Sequence, residues 1–326
     1  MQLFSSLRTQ MRSIKNILLS RSLHLVLFSV FIVFAGILLH NRIVGIDLNQ
    51  IDFSYGYLSA GVAILFAAKV FSAWIYVLVL GFLSHPPTGG QRRSVYASRY
   101  ASLLGRYVPG RFAAPGSFVL ALKSHGFSVP VAIAASMIPF LMNFTAGAIL
   151  SIPLVFYSWN DLSTPFRIIS PLFLILILTS FYPPFLKRVS GLIMSKMKKE
   201  PLKQLPPANT LLVAFLSLAR YCLVALAVLM LARSIGPAGI HQLPEVAGSI
   251  AFSFIIGFMA FFAPAGIGVR ESVLLLLLEP LWPAAALVVV LFRILDIATD
   301  LLLGTWGFLV KGKGHGEAPL VKAPKG

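Results

Sequence analysis

Charge is scarce in this sequence, and acidic charge scarcest of all. Of 326 residues only 11% are charged, and Asp and Glu together number 10. A water-soluble domain carries about 25% charged and about 45–50% apolar residues. Here 58% are hydrophobic and the mean hydropathy is +0.87. That much apolar surface does not fit inside one water-soluble core, which excludes a soluble globular enzyme. The single cysteine, Cys222, excludes a disulfide scaffold. The six histidines (24, 40, 85, 125, 241 and 315) are scattered. They form no HExxH pair and no His/Cys group of ligand spacing, so neither a metal nor a cofactor is expected. No GxSxG elbow and no GxxxxGK[ST] loop occurs, so no catalytic residue is assigned and a nucleotide-driven pump is not expected.

What the sequence does hold is a series of apolar runs separated by basic loops, which predicts an all-α polytopic membrane protein. Six runs reach the length of about 17–25 residues that a hydrocarbon core requires: 23–39, 57–83, 129–157, 166–186, 210–232 and 283–310. No small-residue cleavage site follows the first, so a retained anchor is expected. The formal net charge of +17 arises from 27 Lys and Arg. Twenty of the 27 fall in alternate loops: before the first run, between the second and third, between the fourth and fifth, and after the last. The opposite loops hold only Arg42, Arg167 and Arg233, alongside Asp47, Asp52, Asp161 and Glu245. By the positive-inside rule both termini are expected in the cytoplasm. The basic excess therefore reads as orientation and attraction to anionic lipid, and nucleic acid is not expected as a partner.

Two further apolar segments are broken. Residues 96–126 contain GRYVPGRFAAPG, interrupted at Pro109 and Gly110, and residues 246–281 contain FAPAGIGVRE, interrupted at Pro264, Gly266 and Gly268. Each predicts a re-entrant hairpin of two half-length helices, since non-helical backbone at membrane depth must be buried in protein or line a wet cavity. A surface-lying amphipathic helix is the alternative for the first arm, because Arg99, Ser102 and Arg106 share a face. The order of elements then repeats. Tyr57 and Thr210 lie 153 residues apart, Pro109 and Pro264 155, and Lys69 and Arg220 151. Three crossings per unit is odd, so a duplicated unit has to be inverted. The expected organisation is a basic N-terminus (1–22), two membrane repeats (23–157 and 158–310) and a basic tail (311–326).

Ionisable groups inside such runs are costly and mark function by default. They are Lys69, Arg220, the adjacent Arg270 and Glu271, and Arg293 with Asp296 and Asp300 on one helical face. Lys69 and Arg220 have no acidic residue in their own runs, so they invite an external anion, with lipid phosphate the nearest source. Gly268, opening a helix, offers backbone N–H groups to the same anion. Arg293 and Asp296 are equally open to a purely structural pairing.

LLGRYVPGRF resembles the first signature of a flippase-like integral membrane family named after the transmembrane region of lysylphosphatidylglycerol synthase. FFAPAGIGVRESVLLLLL resembles its second, followed by an Arg-containing last span, here LFRILD. The likeness spans nearly the whole chain. It departs at Ala265, where the family has Gly, and in the 129–157 run, which lacks an acidic residue. The resemblance implies handling of anionic or modified lipids in a bacterial inner membrane. By position, Arg106, Pro109, Gly110 and Arg111 carry the first signature, and Pro264, Gly266, Gly268, Arg270 and Glu271 the second. The tail holds no aminoacyl-transferase domain, so aminoacylation is not expected.

The expected function is translocation of an anionic or zwitterionic phospholipid, or a lipid-linked intermediate, through a polar cavity between the hairpins. The substrate-binding set is Lys69, Arg106, Arg111, Arg220, Gly268, Arg270, Glu271, Arg293 and Asp296, with Pro109, Gly110, Pro264 and Gly266 shaping the breaks. The alternative is a non-transporting scaffold for a separate lipid- or glycan-modifying enzyme.

Overall fold

The computed structural model describes residues 53–107, 113–157, 205–260 and 266–313. The runs at 23–39 and 166–186, both basic termini, and Pro109, Gly110, Arg111 and Pro264 lie outside the described residues. Within them the chain is helical, with no strand. In order the helices are α1 (Tyr55–Leu83), α2 (Gly89–Ala101) running into a 3-10 segment (Ser102–Tyr107), α3 (Ala113–Ser124) and α4 (Val129–Tyr157). There follow α5 (Pro207–Arg233), a 3-10 turn (Ile240–Gln242), α6 (Leu243–Met259), α7 (Val269–Leu278) and α8 (Ala285–Lys313).

Four stretches are long and apolar enough to cross a membrane: Tyr55–Leu83, Val129–Leu154, Pro207–Arg233 and Ile240–Met259. At about 1.5 Å per residue, the 29 residues of α8 also exceed the hydrocarbon thickness. Its middle, however, carries Arg293, Asp296 and Asp300. The second broken segment departs from two equal half-helices. Its first arm, Ile240–Met259, is 20 residues and long enough to cross alone, whereas α7 has only 10. Hydropathy misses the arm's start because its first turns hold Gln242, Pro244 and Glu245; Pro sits well there, where its missing N–H costs nothing. For the same reason α2 begins at Gly89, ahead of the apolar stretch, in the polar sequence GGQRR.

The bundle is apolar outside and charged within. Leu211, Phe215, Leu302 and Phe308 are about two-thirds exposed or more, whereas Asp296 and Asp300 are buried. Helices approach closely where a glycine removes a side chain, the usual device of membrane packing. Antiparallel α1 and α5 meet with the Ser54 N–H donating to the Ser234 carbonyl (2.9 Å) and Gly61 against Ala227 and Leu231. Antiparallel α2 and α8 meet where Gly307 faces Ala97 and Ala101 and Gly304 faces Leu104. Antiparallel α4 and α6 meet where Gly248 faces Leu150 and Gly147 faces Ile255.

Two large apolar cores result, with two smaller clusters beside them. One gathers the first half of α1, most of α5, and α6, α7 and the start of α8. The other gathers the second half of α1, α2, α3 and the start of α4. On α1 the first core ends at Ala68 and the second begins at Ile75, so Lys69 stands at the boundary. On α5 Arg220 stands at the same boundary, between Val213 and Tyr221.

Candidate functional site

Between the cores six cations meet three carboxylates. The carboxylates come from α8 and α7. Fully buried Asp300 accepts from the Lys69 Nζ at 2.7 Å, an Arg106 guanidinium nitrogen at 2.7 Å and the Tyr107 hydroxyl at 2.8 Å. One turn earlier, Asp296 contacts the Lys69 ammonium closely, with Arg293 at 3.4 Å and Arg270 at 3.8 Å. Glu271 lies 2.7 Å from the Arg293 Nε. Its other oxygen accepts from the Gly268 N–H at 2.5 Å, which caps the positive end of α7.

Arg99 and Arg220 have neutral partners, and Arg270 has aromatic ones besides its 3.8 Å contact with Asp296. Arg220 donates from Nε (2.9 Å) and Nη2 (2.5 Å) to the Asn143 side-chain oxygen, and the Asn143 amide donates to the Tyr221 hydroxyl at 3.2 Å. Arg99 lies 3.8 Å over the Tyr76 ring and donates to Ser102 Oγ at 2.9 Å. Its Nε has no hydrogen-bond partner among the described residues. Arg270 is held between the Phe254 and Phe292 rings, 5.8 and 5.7 Å away. Six cations against three carboxylates leave three positive charges uncompensated among the described residues. Arginine cannot shed its proton to escape that cost.

Several expectations change with this geometry. Lys69 is not alone: its anion arrives from α8, 231 residues along the chain. Arg270 and Glu271 do not pair, because successive helical residues point about 100° apart. Glu271 turns to Arg293 and Arg270 to Asp296. The Gly268 amide, offered by the sequence to a phosphate, is taken by Glu271. Arg99 is not on a free helix surface but packs on Tyr76 inside the bundle. Arg106, Arg220 and Arg293, each expected at the site from the sequence, come together in one cluster with Arg270 and Asp296, while Arg111 lies outside the described residues.

A cavity of about 200 Å³ opens on this cluster. Arg99, Arg106, Arg220, Arg270 and Arg293 line it together with Tyr76, Phe118, Phe140, Phe254 and Phe258, and Arg99 and Arg270 lie against rings of that same lining. A single water needs about 10–15 Å³, so the space admits a headgroup-sized group. A second cavity of about 60 Å³ adjoins it and is bordered by Lys69 and Asp296. Gly266, at φ +69°, lies in the wall of the larger one. A Cβ there would stand 2.9 Å from the Gly257 carbonyl oxygen, so only glycine brings the two arms of this segment together beside Arg270.

Sequence reasoning passed over Arg99, Asn143, Tyr107 and Tyr221. Asn143 had a readable signal, as the only amide in the 129–157 run. It occupies the run in which an acid was expected. Arg99 was counted among loop charges, because α2 is too polar to read as buried. Comparison of the chain with family models, with curated proteins and with solved structures gives no match.

Proposed function

We propose that the chain is a lipid translocase of a bacterial cytoplasmic membrane, both termini inside, that passes an anionic headgroup through the cavity between its broken helical segments. One observation carries the reading: three positive charges with no compensating carboxylate among the described residues line a cavity that aromatic rings also line, among helices long enough to span a bilayer. Charge at that depth is expensive without a counter-ion. A phosphate on an apolar chain suits such a mixed lining, its oxygens taken by guanidinium groups and its chain laid on the rings.

The arrangement of helices supports an inverted repeat. Starts of α1 and α5 lie 152 residues apart, α2 and α6 154, α3 and α7 156, and α4 and α8 156. Under that correspondence the contact of α2 with α8 is the counterpart of the contact of α6 with α4. The equivalent helices α1 and α5 pack antiparallel, as a two-fold axis in the membrane plane requires. Lys69 on α1 with the carboxylates of α8 then mirrors Arg220 on α5 with Asn143 of α4.

The scaffold reading draws on the paired half of the cluster, where Lys69, Arg106 and Asp300 satisfy one another. It gives the surplus arginines no task. Transport of a short-chain fluorescent phospholipid in reconstituted vesicles separates the two. The wild type should exceed the protein-free background, and Arg220→Ala and Arg270→Ala should return to it with the protein still folded. No wild-type rate above background, across anionic and zwitterionic lipids, would establish the scaffold instead.

A further inference from the structure

We infer that the cavity selects a terminal phosphate bearing two or more negative charges on an apolar chain, over the singly charged phosphodiester of common phospholipids. The inference rests on the lipid-binding reading above and names its substrate class.

The argument is one of charge matching. Glu271, Asp296 and Asp300 can neutralise three of the six cations, and each is already committed within the network. Arg99 and Arg220 have no carboxylate within 4.0 Å among the described residues, and Arg270 has only a distant share of Asp296, at 3.8 Å. These three line the same cavity. A phosphodiester brings one negative charge and leaves two cations unmatched in a low-dielectric site. A phosphate monoester brings about −1.5 to −2 at pH 7 and offers three terminal oxygens to guanidinium forks. The pseudo-equivalent position sharpens the point. Lys69 faces two carboxylates, whereas Arg220 faces a neutral amide in their place. The Asn143 side therefore keeps the charge that the Asp300 side cancels.

The same geometry supplies the test. Asn143→Asp is nearly isosteric and gives Arg220 a carboxylate, removing one surplus charge without removing a cation. Full-length protein in non-ionic detergent would be titrated with dioleoyl phosphatidic acid, dioleoyl phosphatidylglycerol, dioleoyl phosphatidylcholine and inorganic phosphate, with binding read from the shift in thermal unfolding. Phosphatidic acid should bind about tenfold or more tightly than phosphatidylglycerol. Asn143→Asp should cut that preference at least about threefold while its lipid-free unfolding midpoint does not fall. Arg99→Gln, in the lining of the same cavity, should give the same loss and decides the matter if Asn143→Asp does not fold. Equal binding of phosphatidic acid and phosphatidylglycerol, both above phosphatidylcholine, overturns the charge selection and leaves the lipid reading intact. Inorganic phosphate matching phosphatidic acid overturns the requirement for a chain. Neither anionic lipid exceeding phosphatidylcholine overturns the lipid reading itself.

Discussion

Asp300 holds three donors and is fully buried, so its charge is a condition for burying Lys69 and Arg106 beside it. Breaking a buried ion pair by removing one partner costs about 3–5 kcal/mol, because the other charge stays in the interior. Asp300→Asn should therefore lower the unfolding midpoint and the amount of protein recovered from membranes. Lys69→Ala should do the same, since it leaves Asp296 and Asp300 facing each other without their ammonium; a stable Lys69→Ala protein that only loses ligand would contradict this. Arg220 behaves differently. Its partners are the neutral Asn143 side chain and the Tyr221 ring, so Arg220→Ala forfeits two hydrogen bonds of about 1.5–3 kcal/mol each, leaves no buried carboxylate unpaired and removes a repelling charge from the cluster. Its midpoint should stay nearer the wild type than that of Lys69→Ala, with lipid binding lost. From the sequence these two cations were equivalent, lone in their runs; the difference between them lies in what α8 and α4 bring across.

At the level of elements, the close helix pairs set the shape of the cavity by fixing α2 and α6. A Cβ at Gly307 would stand 2.3 Å from the Ala97 carbonyl, backbone that cannot swing aside as a side chain does. Gly307→Ala should push α2 from α8 and cost about 1–3 kcal/mol in a thermal-unfolding comparison. Gly116, in α3, has nothing within 4 Å of its would-be Cβ. Gly116→Ala should be neutral or stabilising by up to about 1 kcal/mol, the ordinary gain of helix propensity. Equal effects at the two positions would mean that the α2–α8 contact does not constrain the bundle. The long apolar helices were legible from run length. The broken segments were legible as pairs of helices, but the starts and unequal lengths of their arms were not, because polar first turns hide from a hydropathy pattern.

For the whole molecule, the proposed inverted repeat requires the start of α2 and the end of α5 to lie on opposite sides of the membrane. Gly90 and Gly236 are both open positions, with nothing within 4 Å of an added Cβ. In a Cys222→Ala background, needed because Cys222 is exposed, Gly90→Cys should react with an impermeant thiol reagent only after the cytoplasmic face is opened. Gly236→Cys should react in intact cells. Both cysteines labelling from one side would exclude the inverted repeat, while exchanged labelling would reverse the orientation and leave the repeat standing.

Composition and the placement of basic loops were enough to determine that the chain is helical and built for a membrane, because the bilayer imposes run length and satisfied backbone on any sequence that crosses it. Lys69, Arg220, Arg270, Glu271, Arg293, Asp296 and Asp300 were likewise visible, since each stands out against an apolar run, whereas Arg99, in polar α2, was not. Nor were the partners of any of them. Which carboxylate meets which cation depends on contacts between residues as far apart as Lys69 and Asp300, and adjacency in sequence misled where helical geometry turned Arg270 and Glu271 apart. The surplus of positive charge around the cavity is thus a property of the tertiary structure: it exists because packing assigns three carboxylates to one part of the cluster and leaves Arg99 and Arg220 to a ring and an amide.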